Sequence, residues 1–120
     1  MIYLASPWTH PDPTVRHERL VMACRAAVAL AKHGHVVFSP IAHSVTICEY
    51  GGAPDRLEYW LRQDLAILRC CARLVILMLD GWRESKGIKE ELEQARGLNL
   101  QVSYVEPINP TLFLEKPKNA

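Results

Sequence analysis

Carboxylates supply the first chemical signal in this chain. The segment "GWRESKGIKEELEQARG" (81–97) holds Glu84, Glu90, Glu91 and Glu93. At about 100° per residue, the apolar direction of a helix here is set by Ile88, Leu92, Ala95 and Leu98. Glu91, three residues after Ile88 and four before Ala95, flanks that face. Glu90 and Glu93 point to solvent, within helical reach of Lys86, Lys89 and Arg96. In "DRLEYWLRQDLAILRCC" (55–71) the apolar stripe is Leu57, Trp60, Leu61, Leu65 and Leu68, and Asp64 falls in its middle. A carboxylate there must be paired, hydrogen-bonded or raised in pKa, because burying it alone is costly. Such an acid suits proton transfer or nucleophilic attack. Each also has a plainer explanation: an ion pair between Asp64 and an arginine such as Arg73, and a salt bridge at the stripe's edge for Glu91.

Ser85 and Gly87 stand at the start of the Glu91 helix. Ser85 is a good N-cap, and free N–H groups at a helix start favour an anion, although the spacing matches neither a dinucleotide fingerprint nor a P-loop. "FSPIAHS" (38–44) brings Ser39, His43 and Ser44 together. The five histidines share no metal-ligand spacing with cysteine or aspartate, and no GxSxG elbow supports a serine nucleophile. Trp8, Trp60 and Trp82 suit core or pocket-wall positions, with Trp8 and Trp82 in loops where a flat ring can stack.

The elements that must position these groups alternate in apolar period. Strands are expected at 2–6, 35–40, 72–79 and 100–105. Helices are expected at 11–34, capped by Asp12 or Thr14 and ended by Gly34, at 55–71 with Asp55 as cap, and after the turn 80–82. Residues 41–54 read as a loop, and the proline-bearing stretch 107–120 as a C-terminal tail or short docking segment following a domain over 1–106. Apolar strands alternating with helices predict an α/β, flavodoxin/Rossmann-like three-layer sandwich with a four- to five-stranded parallel sheet. Ligands of such sheets bind outside the strand C-termini, which singles out 6–13 (Ser6, Pro7, Trp8), 39–53 and 80–87.

Composition bounds the rest. The chain has 120 residues, 49% of them hydrophobic, and a formal net charge of +1, so it lacks the basic footprint of a nucleic-acid binder. Cys24, Cys48, Cys70 and Cys71 form no zinc pattern and read as reduced, mostly buried thiols of a cytosolic protein. The N-terminus does not have the pattern of a signal peptide, and no apolar run approaches the about 20 residues of a membrane span.

"IYLASP", Asp64 in its helix, and Ser85-x-Gly87-x-x-x-Glu91, together with "FSPIAHS" and "LDGWRESKG", resemble the nucleoside 2-deoxyribosyltransferase superfamily over most of 2–105, closest to a small uncharacterised branch of it. The resemblance implies a flavodoxin-like sheet and a retaining N-glycoside reaction. Glu91 would be the nucleophile at the anomeric carbon, Asp64 the carboxylate that handles sugar and leaving base, and Tyr3 the hydroxyl that positions Glu91. Ser85 and Gly87 would meet the 5′ side of the sugar or its phosphate. Two inward carboxylates from adjacent helices fit the division into nucleophile and proton donor that this chemistry needs. Ala72 and Arg73 stand where many relatives carry an aspartate.

The expectation is therefore a nucleoside or nucleotide 2-deoxyribosyltransferase, or an N-glycoside hydrolase, working through a covalent glycosyl-glutamate. Its catalytic groups would be Glu91, Asp64 and Tyr3, with Ser6, Pro7, Trp8, Ser39, His43, Trp82, Ser85 and Gly87 binding substrate. It would use no cofactor or metal, act on a small-molecule nucleoside or nucleotide rather than a nucleic-acid polymer or membrane, and assemble as a cytoplasmic homo-oligomer. The alternative is a non-catalytic nucleotide-binding module with the same fold.

Overall fold

The structure, a computed structural model, describes residues 1–51 and 57–114. The expected cap Asp55, the side chain of Leu57 and residues 115–120 lie outside the described residues. Four strands follow the expected order: β1 (Ile2–Ala5), β2 (Val37–Phe38), β3 (Arg73–Leu77) and β4 (Gln101–Glu106). They are joined in parallel, with Ile2 beside both Val37 and Arg73, and Val75 beside Ser103. A fifth strand, β5 (Asn109–Leu114), completes the order β2-β1-β3-β4-β5.

β5 runs antiparallel to β4, pairing Glu106 with Asn109 and Tyr104 with Leu114. The sheet is thus mixed rather than wholly parallel, and much of the expected tail is a strand. The prolines that suggested a tail fit this arrangement. Pro107 lies in the two-residue turn, and Pro110 sits on an edge strand, where a missing N–H is tolerated.

Among the described residues, four helices cover the sheet. α1 (Pro13–Lys32) starts at Asp12, whose side chain accepts from Thr14 N with Pro13 in the first turn, the arrangement favoured at helix starts. It ends before Gly34, whose φ of +87° suits glycine. α2 (Pro40–Glu49) occupies most of the expected loop. Ser39 caps it, its Oγ accepting from Ala42 N at 3.2 Å. Ser39-Pro40 therefore does two things at once, ending β2 and opening a helix. α3 (Leu57–Leu68) and α4 (Lys86–Gly97) follow as expected. A short 3-10 turn at Trp82–Glu84 precedes α4, and Ser85 Oγ caps α4 by accepting from Ile88 N at 3.2 Å.

Strand alternation divides the core. Ile2 and Leu4 of β1 pack with Ala26 and Leu30 of α1, Val75, Leu77 and Val105. Tyr3 and Ala5 face the other way, among Leu68 of α3, Ile88 and Ala95 of α4, Leu74 and Ile76. α1 thus covers one face of the sheet, and α3 and α4 the opposite one. Tyr3 is thereby aimed at the two helices that carry Asp64 and Glu91. The cysteines are less buried than expected: Cys71 is buried, Cys48 half-buried, and Cys24 and Cys70 are exposed; all four are free.

Candidate active site

In a sheet of order 2-1-3-4-5, the connections from adjacent strands diverge between β1 and β3, and the crevice there is the natural ligand site. A cleft of about 870 Å³ opens at this place, within the usual size range of small-molecule pockets, about 300–1,000 Å³. The exit of β1 supplies Ser6, Pro7, Trp8, Thr9 and His10. α2 supplies Pro40, Ile41, Ser44, Val45 and Cys48, and α3 supplies Trp60, Leu61 and Asp64. The β3–α4 connection and the start of α4 supply Asp80, Gly81, Glu84, Ser85, Lys86, Gly87 and Glu91.

The helical phase separates the acids of α4. Glu91 is buried with Ile88 and Ala95 along one face. Glu93 and Glu84 are exposed, whereas Glu90 is half-buried rather than fully solvated. On α3, Asp64 is buried at 9% exposure, and its Oδ1 has no hydrogen-bond partner among the described residues. Arg73 does not pair with it: that guanidinium bonds Gln101 at 2.8 Å and stacks 4.7 Å from the Phe113 ring.

Burial of the two acids shows in their protonation. Loss of solvent pushes Asp64 up to about 6. Glu91 is pushed up to about 8, chiefly by burial; interaction with Tyr3 works downward and the Asp64 charge upward. The Tyr3 hydroxyl is held well above the usual phenol range, by burial first and then by the charges of Glu91 and Asp64. It lies close enough to Glu91 to stabilise the ionised carboxylate. A bond of full geometry is not formed in the free protein, because Tyr3 Oη is buried without a partner among the described residues.

Ser6 Oγ and Ser44 Oγ are likewise buried and unpartnered. Buried polar atoms are nearly always satisfied in native proteins. Here three of the unsatisfied ones belong to cleft-lining residues and the fourth, on Tyr3, lies beside Glu91. A ligand that supplies donors and acceptors would complete them.

Of the residues singled out in the sequence, Ser6, Pro7, Trp8, Asp64, Ser85, Gly87 and Glu91 line this cleft, with Tyr3 behind Glu91. Three lie elsewhere. Ser39 is the α2 cap. His43 is exposed on α2, its ring 5.6 Å from Phe38. Trp82 is buried against Tyr104, with Arg83 over its ring at 4.6 Å, and borders an adjoining pocket of about 300 Å³ that shares Asp80, Gly81 and Glu84 with the cleft.

Sequence reasoning missed the α2 wall of Ile41, Val45 and Cys48, which the Ser-Pro helix start could have disclosed. It also missed Arg19, for which a helical arginine offers no signal. Among the described residues, no group of three or more histidine, cysteine or acidic side chains is placed to hold a metal, and no helix is long and apolar enough to cross a membrane.

Comparison with curated proteins yields no match. A family model does match, over residues 1–106, so that β1 through β4 and every cleft-lining side chain fall within it. The chain belongs to the family described as a domain of unknown function, DUF1937.

Proposed function

We propose that this cleft cleaves the N-glycosidic bond of a (deoxy)nucleoside or its 5′-monophosphate, transferring the sugar to a second base or to water. The observation that supports this most directly is the convergence of Tyr3, Asp64 and Glu91, from β1, α3 and α4, at the inner wall of one cleft. Ile41, Val45, Trp60 and Leu61 offer an apolar slot for a flat heterocycle. The start of α4, with Ser85, Lys86 and Gly87, offers N–H groups and a cation to the 5′ end of the sugar.

In this scheme the Glu91 carboxylate attacks the anomeric carbon and forms a glycosyl ester. The carbon–nitrogen bond breaks, and its electron pair leaves with the base, which takes a proton from Asp64. A second base or water then attacks the same carbon. The Glu91 carboxylate leaves, and Asp64 recovers a proton from the incoming nucleophile. Between about pH 6 and about pH 8 the pair holds one proton, and burial favours it on Glu91, the more deeply buried acid, over Asp64. Moving it to Asp64 costs less than about 3 kcal/mol at about 1.4 kcal/mol per pKa unit, because part of the Glu91 shift is repulsion from the Asp64 charge, which the move removes. The interaction of Tyr3 with the Glu91 carboxylate is already part of that balance and keeps the cost from being larger.

The test is release of free base, followed by chromatography, across deoxynucleosides and their monophosphates. A second free base is added to separate transfer from hydrolysis. Wild-type protein should release base and the Glu91→Ala variant should not; normal turnover by folded Glu91→Ala removes Glu91 from the nucleophile's role. The proton resting on Glu91 also favours a second reading, a binding module that never ionises its acid. That module would be thermally stabilised by nucleosides or nucleotides without forming product.

A further inference from the structure

Arg19 leaves the second turn of α1 and ends at the wall of the cleft, half-buried. Its guanidinium divides between two loops. Nη1 donates to Thr9 O at 3.0 Å and, at longer range, to Trp8 O at 3.4 Å. Nη2 donates to Asp80 O at 2.8 Å. The first loop leaves β1, the strand of Tyr3, and the second leads through Ser85 into α4, the helix of Glu91. Among the described residues, no other side-chain hydrogen bond joins these loops.

Gly81 supplies the complementary half of this arrangement. Its φ is +92°, and a Cβ built there would lie 2.6 Å from Arg19 Nη2. The missing side chain therefore leaves the room through which the guanidinium reaches Asp80 O. A planar fork with fixed donor directions can hold both loops at once, whereas a lysine ammonium is a single point on a flexible stem.

We infer that Arg19 is a positioning residue: with Gly81 it fixes the gap between the two loop walls of the cleft, and so the placement of a bound sugar against Glu91. The second half of this rests on the N-glycoside reading above; the first half does not. A misplacement of about 1 Å at a reacting centre can cost about 100-fold in rate, so a loosened gap should appear in turnover as well as in loop dynamics.

The experiment compares wild type with Arg19→Met, which keeps the aliphatic stem, Arg19→Lys and Gly81→Ala. Amide hydrogen exchange is read at the non-proline residues of 6–10 and at 80–85, alongside kcat and KM for base release. In Arg19→Met, exchange should accelerate at least about tenfold in both loops. Its kcat/KM should fall about 10- to 100-fold with no shift in the pH profile, because Glu91 and Asp64 are untouched. Arg19→Lys should lie between wild type and Arg19→Met. Gly81→Ala displaces the guanidinium and also strains its own loop at φ +92°, so its informative readout is the 6–10 loop, which should loosen, and adding it to Arg19→Met should accelerate exchange there no further.

A folded Arg19→Met protein in which only one loop, or neither, exchanges faster overturns the proposal. So does wild-type kcat/KM in that variant. If Arg19→Met fails to fold, Arg19→Lys decides by the same loop comparison and Gly81→Ala by the 6–10 loop. If wild-type protein releases base from no nucleoside or nucleotide, the N-glycoside reading fails, while the exchange data still judge whether Arg19 sets the gap.

Discussion

Replacing Glu91 by glutamine should abolish base release and make the protein more stable, by an amount that grows with pH. The side chain keeps its shape and loses its charge. Burial raises the Glu91 pKa from 4.5 to about 8, so the folded state binds the proton more tightly than the unfolded chain. The stability from this group is complete below about pH 4.5 and is lost as pH rises to about 8. At about 1.4 kcal/mol per pKa unit the full loss is about 5 kcal/mol, of which less than about 1 has occurred by pH 5. Between pH 5 and 8.5 the advantage of Glu91→Gln should therefore grow by about 4 kcal/mol. For a domain of this size that is a relative Tm gain of about 15 °C. The Asp64 titration, shifted by its own burial alone, is common to both proteins and cancels in the comparison. Thermal or urea unfolding at half-unit pH steps measures the difference. Curves that run parallel from pH 5 to 8.5 refute the claim that a neutral Glu91 is what the folded protein prefers.

Three further outcomes follow from the same geometry. If one proton shared by Asp64 and Glu91 defines the reactive pair, kcat/KM should be bell-shaped, with limbs near about 6 and about 8; these belong to the pair rather than to either residue. Asp64→Asn should slow base release about 100- to 1,000-fold, with the largest loss for bases that leave poorly, as a steady-state series of leaving groups would show. Tyr3→Phe removes a buried hydroxyl without a full bond in the free protein. Stability should change by less than about 1 kcal/mol, while kcat falls about tenfold and the upper limb of the pH profile moves higher, since Glu91 loses the group that favours its charged form.

The strand–helix alternation, the inward turn of Glu91 and the burial of Asp64 were legible because each depends on local periodicity. Ile88, Glu91 and Ala95 share a helical face whatever surrounds them. What was not legible depends on context. Ser39-Pro40 carries opposite meanings at a strand end and at a helix start, and α2 was lost to the first. Asn109–Leu114 becomes a strand only because β4 offers it an edge, and Pro110 within it and Pro107 before it argued against it. His43 and Trp82 lie on segments near the crevice, but nearness along the chain does not aim a side chain: His43 turns to Phe38 and solvent, and Trp82 inward to Tyr104. Arg19 was invisible for a related reason. Its partners are carbonyl oxygens of two loops, and no residue type in those loops announces a bond to the backbone.

The distribution of unsatisfied atoms bears on how the acids are used. A fold that only needed to stay folded would gain by replacing Glu91 and Asp64 with neutral groups, since each carboxyl opposes folding as pH rises. Among the described residues the Ser6 and Ser44 hydroxyls have no partner, and Tyr3 has only its interaction with Glu91. These polar groups are concentrated at one place, where β1, α2, α3 and α4 meet. A ligand carrying hydroxyls and a proton-accepting ring nitrogen would meet these demands together. Hydroxyls can pair with the serines, and the ring nitrogen, gaining an electron pair as its bond to the sugar breaks, draws the proton from Asp64. Under the proposed reaction Asp64 can give that proton only after taking it from Glu91, which leaves Glu91 ionised for attack. Under that proposal the proton rearrangement between Glu91 and Asp64 is met when a substrate of the right chemistry is bound.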